Sequence, residues 1–233
     1  DNGSTVVSTI DLQVQSIVEQ HILAFNEEHK DEETEGEGSK NTGVIVMNPQ
    51  NGEILAEASY PNYDLNHPRD LTKYYTKAQL KKMTDKEKLN ILNDLWNNYC
   101  VSNTYEPGST FKMLTASAAI DCGATSPQEG FYCSGKITVD GSTVRCWGAP
   151  HGTETMARAL ENSCNPVFTQ LALRLGSERF YQYLHAFGLG SRTGIDLYGE
   201  ASGILIGQNR VKNVDLARIG FGQSVAVTPI QMI

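Results

Sequence analysis

The segment Ser109-Thr110-Phe111-Lys112 constrains this chain more than any other feature. It follows a turn signal, Tyr105-Glu106-Pro107-Gly108, and opens a stretch from Thr110 to Ile120 that reads as a helix closed by Gly123. Residues three apart on a helix share a face, so the Lys112 amine is predicted to lie beside the Ser109 hydroxyl. The fold must therefore hold this serine at the N-terminal end of a helix, one turn before a lysine.

The chemistry of this pair indicates a serine acyltransferase that uses lysine as its base. A hydroxyl is a poor nucleophile until a base removes its proton. A lysine can be that base when burial and its neighbours lower its pKa. The unpaired N–H groups at a helix start also create a positive field around the serine. Taken alone, the pair fits a capping serine beside a solvated lysine equally well.

A second cluster, Ser163-Cys164-Asn165, follows a predicted helix from Thr155 to Glu161 and precedes Pro166, which suits the start of another helix. A serine and an asparagine two residues apart on a tight turn can point into the same cleft. Ser163 could relay a proton between lysine and leaving group, and the Asn165 amide could hold the lysine and a substrate carbonyl. Capping turns use the same residue types, and Cys164 is predicted to be a small packing residue.

Together these motifs resemble those of the penicillin-binding proteins, in the form typical of class B transpeptidases. The segment from Tyr105 to Lys112 is similar to the first active-site motif of that family, and Ser163 to Asn165 is similar to the second, Ser-x-Asn. The resemblance runs along nearly the whole chain, with further matching segments at Thr9-Ile10-Asp11, Trp147, His151-Gly152, Thr193 to Leu197, Gly220 to Gln223 and Thr228 to Gln231.

The resemblance implies an α/β fold of the penicillin-binding protein and serine β-lactamase type. In that fold an antiparallel sheet carries helices on both faces, and an all-helical subdomain holds the Ser-x-Asn turn. Residues 1–233 are then a partial transpeptidase domain, and residues 101–190 are a mostly helical subdomain that carries both motifs. Residues 27–40 are acidic and polar, and we expect them to form a surface loop.

The resemblance also implies the reaction, which is D,D-transpeptidation of peptidoglycan stem peptides that end in D-Ala-D-Ala. Ser109 would be the nucleophile, Lys112 the base for acylation, Ser163 the proton relay and Asn165 the residue that positions substrate and lysine. The Ser109 backbone N–H would form half of the oxyanion hole. Penicillins and cephalosporins mimic the substrate and would trap the serine, and no cofactor is needed.

The third motif of the family, Lys-Ser/Thr-Gly, is absent from these 233 residues. In the family it lies beyond the Thr-Pro-x-Gln segment, which is Thr228 to Gln231 here. The one lookalike, Arg192-Thr193-Gly194, comes too early and leads into a segment that matches another part of the family. We therefore expect the domain to continue past Ile233. Residues 1–233 alone are expected to be inactive, because the wall with the third motif and half of the oxyanion hole would be missing.

Other functions stay open on the motifs alone. A class D-like β-lactamase also carries Ser-Thr-Phe-Lys, although such enzymes usually have an apolar residue where Asn165 stands and lack the Tyr-Glu-Pro-Gly lead-in. A D,D-carboxypeptidase would transfer the acyl group to water rather than to an amine. A β-lactam sensor would be acylated without turnover. A non-catalytic relative would have no need of both Ser109 and Lys112.

Composition narrows the partners and the location. The net charge of −8 argues against nucleic acid as a partner. No apolar run reaches the length of a membrane span. The resemblance implies a parent protein anchored by an N-terminal transmembrane helix that precedes Asp1, with the domain at the outer face of the bacterial cytoplasmic membrane and other cell-wall synthesis proteins as partners. The five cysteines show no Cys-x-x-Cys spacing and the five histidines are scattered, so no metal site is predicted.

Local patterns predict several elements outside the motifs. Val6 to Ile10 reads as a short strand, after which Asp11 caps a helix with one apolar face. Val44 to Ala58 reads as a β-hairpin, and Lys77 to Asn97 as a charged helical segment at the surface.

A β-ribbon around Asp140-Gly141 is predicted between Cys133 and Cys146. A four-residue loop, Thr138 to Gly141, would place the two cysteines opposite each other, where a disulfide could form. A two-residue turn would instead place Cys146 opposite Gly135. A disulfide would persist outside the cytoplasmic membrane, where the resemblance places the domain.

Overall fold

The computed structural model describes residues 5–32, 38–39 and 41–233. The chain divides into two compact units. The first contains the residues up to Asn103 together with Asp196–Glu200 and Ile233, and the second contains Thr104–Ile195 and Ala201–Met232. Among the described residues, no helix combines the length and the apolar character needed to cross a bilayer.

The first unit is built on the predicted hairpin. Strands β1 (Thr42–Met47) and β2 (Ile54–Tyr60) are antiparallel. Helix α1 (Leu12–Glu28) packs against β2. The Asp11 side chain accepts the backbone N–H groups of the second and third helical residues, which is the predicted N-cap.

The strand predicted over Val6–Ile10 is wrong. The Thr9 hydroxyl donates to Ile54 O at 2.7 Å and the Asp11 N–H donates to Leu55 O at 2.9 Å, but the segment forms no ladder with β2. It is mostly exposed, so its apolar residues have no core to face.

The boundaries of two other predicted segments change. Glu27 and Glu28 were predicted to belong to the acidic loop at 27–40, but they are the last residues of α1. Residues 33–37 and 40 of that loop lie outside the described residues. The single helical segment predicted over 77–97 is two helices, α2 (Lys77–Lys82) and α3 (Asp85–Trp96). The break occurs because Thr84 forms a new capping box with Glu87. The short helix α4 (Tyr99–Ser102) follows.

The second unit is mainly helical. A 3₁₀ turn, Gly108–Phe111, runs directly into helix α5. The helices are α5 (Lys112–Asp121), α6 (Met156–Glu161), α7 (Asn165–Ala186), α8 (Asn213–Ile219) and α9 (Pro229–Met232). Helix α7 has a kink at Gly176, whose φ of 72° is not helical.

Four short strands accompany these helices within residues 101–190. Strand β3 (Gly130–Cys133) pairs with β6 (Gly152–Thr155), and β4 (Lys136–Val139) pairs with β5 (Ser142–Arg145). Of these, the sequence pattern predicted the ribbon and missed the pairing of β3 with β6.

The ribbon has the two-residue turn, because Val139 pairs with Ser142. Cys146 accordingly donates its N–H to Gly135 O at 2.9 Å. The register that placed Cys133 and Cys146 opposite each other, on which the predicted disulfide depended, is wrong, and both are free thiols in the structure.

Packing of helices α5, α7 and α8 forms the core of the second unit and decides where the motifs lie. The fully buried members include Phe111, Phe168, Leu171, Phe180 and Ile219. Lys112 is the first residue of α5 and Asn165 is the first residue of α7. Packing α5 against α7 therefore brings two helix starts, one from each sequence motif, to the same place.

Candidate active site

Ser109 and Lys112 form the centre of the site. Ser109 lies in the 3₁₀ turn and Lys112 begins α5, so the two side chains are one turn apart. The Lys112 Nζ lies 3.1 Å from the Ser109 Oγ. Lys112 is only 1% exposed, which excludes the alternative of a solvated lysine beside a capping serine. The predicted pairing of this serine and this lysine is present.

The Lys112 amine has more acceptors around it than a protonated amine has donors. Besides Ser109 Oγ, its Nζ lies 2.7 Å from Ser163 O, 2.9 Å from Ser163 Oγ and 2.7 Å from Asn165 Oδ1. A backbone carbonyl and an amide oxygen can only accept, so they use two N–H donors. A neutral amine with two N–H groups can satisfy both and still direct its lone pair at the hydroxyl groups. This geometry fits a general base.

Burial changes the pKa of the Lys112 amine. The transfer of Lys112 out of water lowers its pKa from 10.5 to about 8, because the buried surroundings disfavour the charged form. The Nζ also lies 5.6 Å from the centre of the Phe168 ring, which is fully buried in α7. A substantial fraction of the lysine is therefore neutral near physiological pH, as a base requires.

Ser163 links the Lys112 amine to the Ser109 hydroxyl. Its Oγ donates to the Ser109 Oγ at 2.8 Å while lying 2.9 Å from the lysine Nζ. Its backbone has a φ of 51°, a left-handed conformation that is uncommon for a residue other than glycine. Such a conformation persists only where surrounding contacts hold it. The three groups form a closed ring of hydrogen bonds through which a proton can pass.

Asn165 contacts both sides of the site. Its Oδ1 accepts from Lys112, and its Nδ2 donates to the backbone O of Arg145 at 3.1 Å, at the end of β5. The amide is thereby held between α5 and the ribbon. The structure thus brings together all four predicted catalytic residues, Ser109, Lys112, Ser163 and Asn165.

A close backbone approach supports the serine. The Gly108 N–H donates to Gly222 O at 2.9 Å, and a Cβ added at Gly222 would meet Gly108 O at 2.1 Å. Gly222 also has a φ of 79°. Only glycine meets both conditions, because a side chain is strained at this φ and has no room. The segment Gly220 to Gln223 therefore makes a backbone contact to Gly108, the residue before Ser109.

We expect Gly222→Ala to destabilise the protein and slow its acylation by β-lactams. Gly123→Ala is the matched control, because Gly123 also has a positive φ but an added Cβ there meets nothing within 4 Å. The control should cost about 1–2 kcal/mol for the left-handed backbone. Gly222→Ala should cost about 1–3 kcal/mol more, from overpacking against Gly108. Chemical denaturation of both variants measures the difference, and equal losses would contradict the close-approach argument.

A cleft of about 450 Å³ opens beside Asn165. Most of its lining side chains are polar or charged, and the charged ones are Glu106, Arg145 and Arg218. Glu106 also accepts the N–H of Ser224 at 2.8 Å, which ties the lead-in of the first motif to the segment after Gly222. Sequence reasoning did not identify these residues as cleft residues. The position of Glu106 inside the first motif was the one available signal.

The expectation of no metal site rested on spacing along the chain, which does not show the side chains that the fold brings together. Cys133, Cys146, His151 and Cys164 come from four separate places, and their possible ligand atoms all lie within 4.8 Å of one another. No local spacing could have revealed this cluster. It lies directly behind the turn that carries Ser163 and Asn165, because Cys164 is the residue between them.

Comparison with known proteins places this geometry in context. The family model described as the penicillin binding protein transpeptidase domain matches residues 42–233. Stage V sporulation protein D of Bacillus subtilis is 38% identical over 235 residues, which cover 100% of this chain and 32% of that protein. Penicillin-binding protein PbpB of Mycolicibacterium smegmatis is 32% identical over 232 residues, covering 99% of this chain and 32% of the relative. The chain spans about a third of the length of these curated relatives.

Solved structures show the same fold. Penicillin binding protein 3 of Mycobacterium tuberculosis, complexed with aztreonam, superposes with a TM-score of 0.78 at 31% identity, covering 99% of this chain and 46% of that one. The transpeptidase domain of Burkholderia pseudomallei penicillin-binding protein 3 gives 0.75 at 21% identity, covering 100% of this chain and 57% of that one. The second likeness concerns the fold alone. These matches confirm the predicted fold class.

Proposed function

Because this chain belongs to the penicillin-binding protein transpeptidase domain family, we propose that it cross-links peptidoglycan stem peptides as a serine D,D-transpeptidase. Relatives carry names of that kind, such as the peptidoglycan D,D-transpeptidase MrdA of Escherichia coli. One observation carries the proposal. The buried Lys112 amine lies within hydrogen-bonding distance of the hydroxyls of Ser109 and Ser163 and of the Asn165 amide.

In the first half-reaction, Ser109 Oγ attacks the carbonyl carbon of the penultimate D-Ala in a stem peptide that ends in D-Ala-D-Ala. The hydroxyl proton passes to the neutral Lys112 amine, which lies 3.1 Å away. The proton then moves through the Ser163 hydroxyl to the nitrogen of the departing D-Ala as the C–N bond breaks. The result is an ester between Ser109 and the shortened stem peptide, with free D-Ala released.

In the second half-reaction, an amine of a neighbouring stem peptide attacks the ester carbonyl. It loses a proton to the same lysine and serine relay, and Ser109 leaves with its proton restored. Helical turns leave their first N–H groups without helical partners, and Ser109 stands in the first turn of its 3₁₀ segment. Its backbone N–H is therefore suited to be one donor to the developing oxyanion.

The same serine would be acylated by β-lactams, which place a strained amide where the substrate carbonyl lies. The Mycobacterium tuberculosis relative has been solved with aztreonam and with ampicillin. Asn165 favours a transpeptidase over a class D-like β-lactamase, because its amide bridges Lys112 and the ribbon. Transpeptidase, carboxypeptidase and sensor differ in the fate of the acyl group.

For the whole protein we propose the outer face of the bacterial cytoplasmic membrane, an N-terminal membrane anchor in the parent chain, and other cell-wall synthesis proteins as partners. Residues 101–190 would be the subdomain that presents both motifs to the stem peptide. The polar and charged cleft beside Asn165 suits a peptide that carries carboxylates.

The proposed function is tested with the full-length protein, a stem pentapeptide that ends in D-Ala-D-Ala, and an amine acceptor. Mass spectrometry of the products should show release of D-Ala and a new amide between donor and acceptor. Hydrolysis without transfer at saturating acceptor would assign a carboxypeptidase. A stable penicillin adduct without any peptide turnover would assign a sensor, and rapid β-lactam hydrolysis would assign a β-lactamase.

The rate of acylation is expected to depend on pH through Lys112. Because burial lowers its pKa to about 8, the neutral, basic form increases as the pH rises through that value. The second-order rate constant for benzylpenicillin should rise about tenfold per pH unit well below the pKa and level off above it. Stopped-flow measurement across this range checks the profile, with thermal stability recorded at each pH. A rate that falls with rising pH would contradict the assignment of Lys112 as base.

A further inference from the structure

We propose that Cys133, Cys146, His151 and Cys164 bind a structural zinc ion that braces the turn of the second motif. The site lies beside the catalytic residues and is separate from them in chemistry. It goes beyond the transpeptidase function, and its metal content can be measured whether or not that function holds.

The four residues come from four places in the second unit. Cys133 ends β3, Cys146 follows β5, His151 precedes β6 and Cys164 caps α7. Their possible ligand atoms lie within 4.8 Å of one another. In a tetrahedral zinc site with Zn–S bonds of about 2.3 Å, two sulfurs are about 3.8 Å apart. The imidazole of His151 borders this set, with its Nδ1 3.8 Å from the Cys146 Sγ. Closing the set around an ion that is bound through His151 Nε2 requires a small inward movement and a turn of the imidazole ring.

The donor set determines the metal class. Three thiols and an imidazole are a recurring structural zinc set, because thiolate sulfur suits a borderline-soft ion. The cluster is shielded from water, since Cys133 and Cys164 are 0% exposed, Cys146 is 8% exposed and the His151 side chain is 17% exposed. Four protein ligands fill a tetrahedron and leave no position for water. The ion would therefore hold structure rather than activate a substrate.

A buried acid beside the cluster supports the assignment. The Glu154 side chain is 3% exposed, and its Oε1 has no hydrogen-bond partner although it lies 3.5 Å from His151 Nδ1. Its Oε2 accepts from Asn162 Nδ2 at 2.8 Å. Zinc-bound histidines usually donate their other ring N–H to a carboxylate, which sets the tautomer. With His151 bound through Nε2, its Nδ1–H would face Glu154 and give this orphaned oxygen its partner.

The site explains how the second motif is held. Cys164 lies between Ser163, whose φ is 51°, and Asn165, the first residue of α7. A metal bond to Cys164 would join this turn to the ends of β3 and β5. Both residues that flank it hydrogen-bond to Lys112. The ion would thus be a positioning element for the proton relay.

The first test is the zinc content of the full-length protein, purified without chelators and without a metal-affinity tag. Elemental analysis should find one zinc per chain. X-ray absorption should show a shell of three sulfurs at about 2.3 Å and one nitrogen at about 2.0 Å. Cobalt substitution should give thiolate-to-cobalt charge-transfer bands. Protein that reacts with penicillin but remains metal-free after zinc addition would overturn the proposal, as would a Cys133–Cys146 disulfide found by thiol counting.

The zinc affinities of single variants distinguish the proposed ligands from neighbouring residues. Cys164→Ser and His151→Gln should lower zinc affinity strongly, while Cys122→Ser, a cysteine outside the cluster, should leave it unchanged. Glu154→Gln should lower affinity about 10–100-fold, as expected for a partner of the metal-bound histidine. If the ligand variants fail to fold, Glu154→Gln and the cobalt spectrum still decide the question. Unchanged affinity in Glu154→Gln would remove Glu154 from the site.

A positioning role predicts a specific pattern of rescue. Chelation of zinc in the folded protein should slow benzylpenicillin acylation, and added Zn²⁺, but not Mg²⁺, should restore it. Full acylation rates in demonstrably zinc-free protein would show that the ion does not brace the relay.

Discussion

Replacement of Ser109 by alanine is expected to abolish the covalent adduct that benzylpenicillin forms with this protein. The hydrogen-bonded ring contains the hydroxyls of Ser109 and Ser163. Of these two, Ser109 is the one that stands one helical turn before Lys112. Intact mass spectrometry of the wild-type full-length protein should show one adduct, and Ser109→Ala should show none.

The matched control for this experiment is Ser191→Ala, an exposed serine of the same unit. It should label at the wild-type rate. Retention of the adduct in Ser109→Ala would mean that another residue, with Ser163 the first candidate, is the nucleophile.

Replacement of Lys112 by methionine is expected to have the second largest effect. Methionine keeps the length of the side chain in a site that is 1% exposed, but it removes the base and all four polar contacts of the amine. General bases typically contribute about 10²–10⁴-fold, so acylation should slow by about that factor.

The readout for Lys112→Met is the second-order rate constant of acylation together with its pH profile. The rise through pH about 8 should disappear, because the group that titrates there is gone. Lys86→Met, on the exposed surface of α3, should keep both the rate and the profile. A slow variant that still showed the rise would assign the titration to another group.

Local chemistry accounts for the elements that were predicted well. The hairpin of β1 and β2 follows from strand-forming residues on either side of an Asn- and Gly-bearing turn. The cap at Asp11 acts through its own side chain on the next residues. Each of these features depends on neighbours within a few residues, so the amino-acid order suffices to predict them.

Predictions that depend on residues far away in the sequence were less accurate. Val6–Ile10 is rich in β-branched residues, as strands are, but it pairs with no neighbouring strand and has no core to face. The ribbon was predicted and its register was left open, because two turns of different length satisfy the same residues and shift the pairing of Cys146. The pairing energy summed over the whole ribbon decides between the two registers, and it cannot be predicted from any single residue.

The sequence by itself determined the two motifs, the family resemblance and the pairing of Ser109 with Lys112, because the pitch of a single turn brings these two residues together. Only the tertiary structure decided that Ser163 and Asn165 reach the same amine, since this depends on packing α5 against α7. It also decided that Cys133, Cys146, His151 and Cys164 converge. The physical reason is that contacts within a turn follow from backbone geometry, whereas contacts between elements follow from the packing of a core.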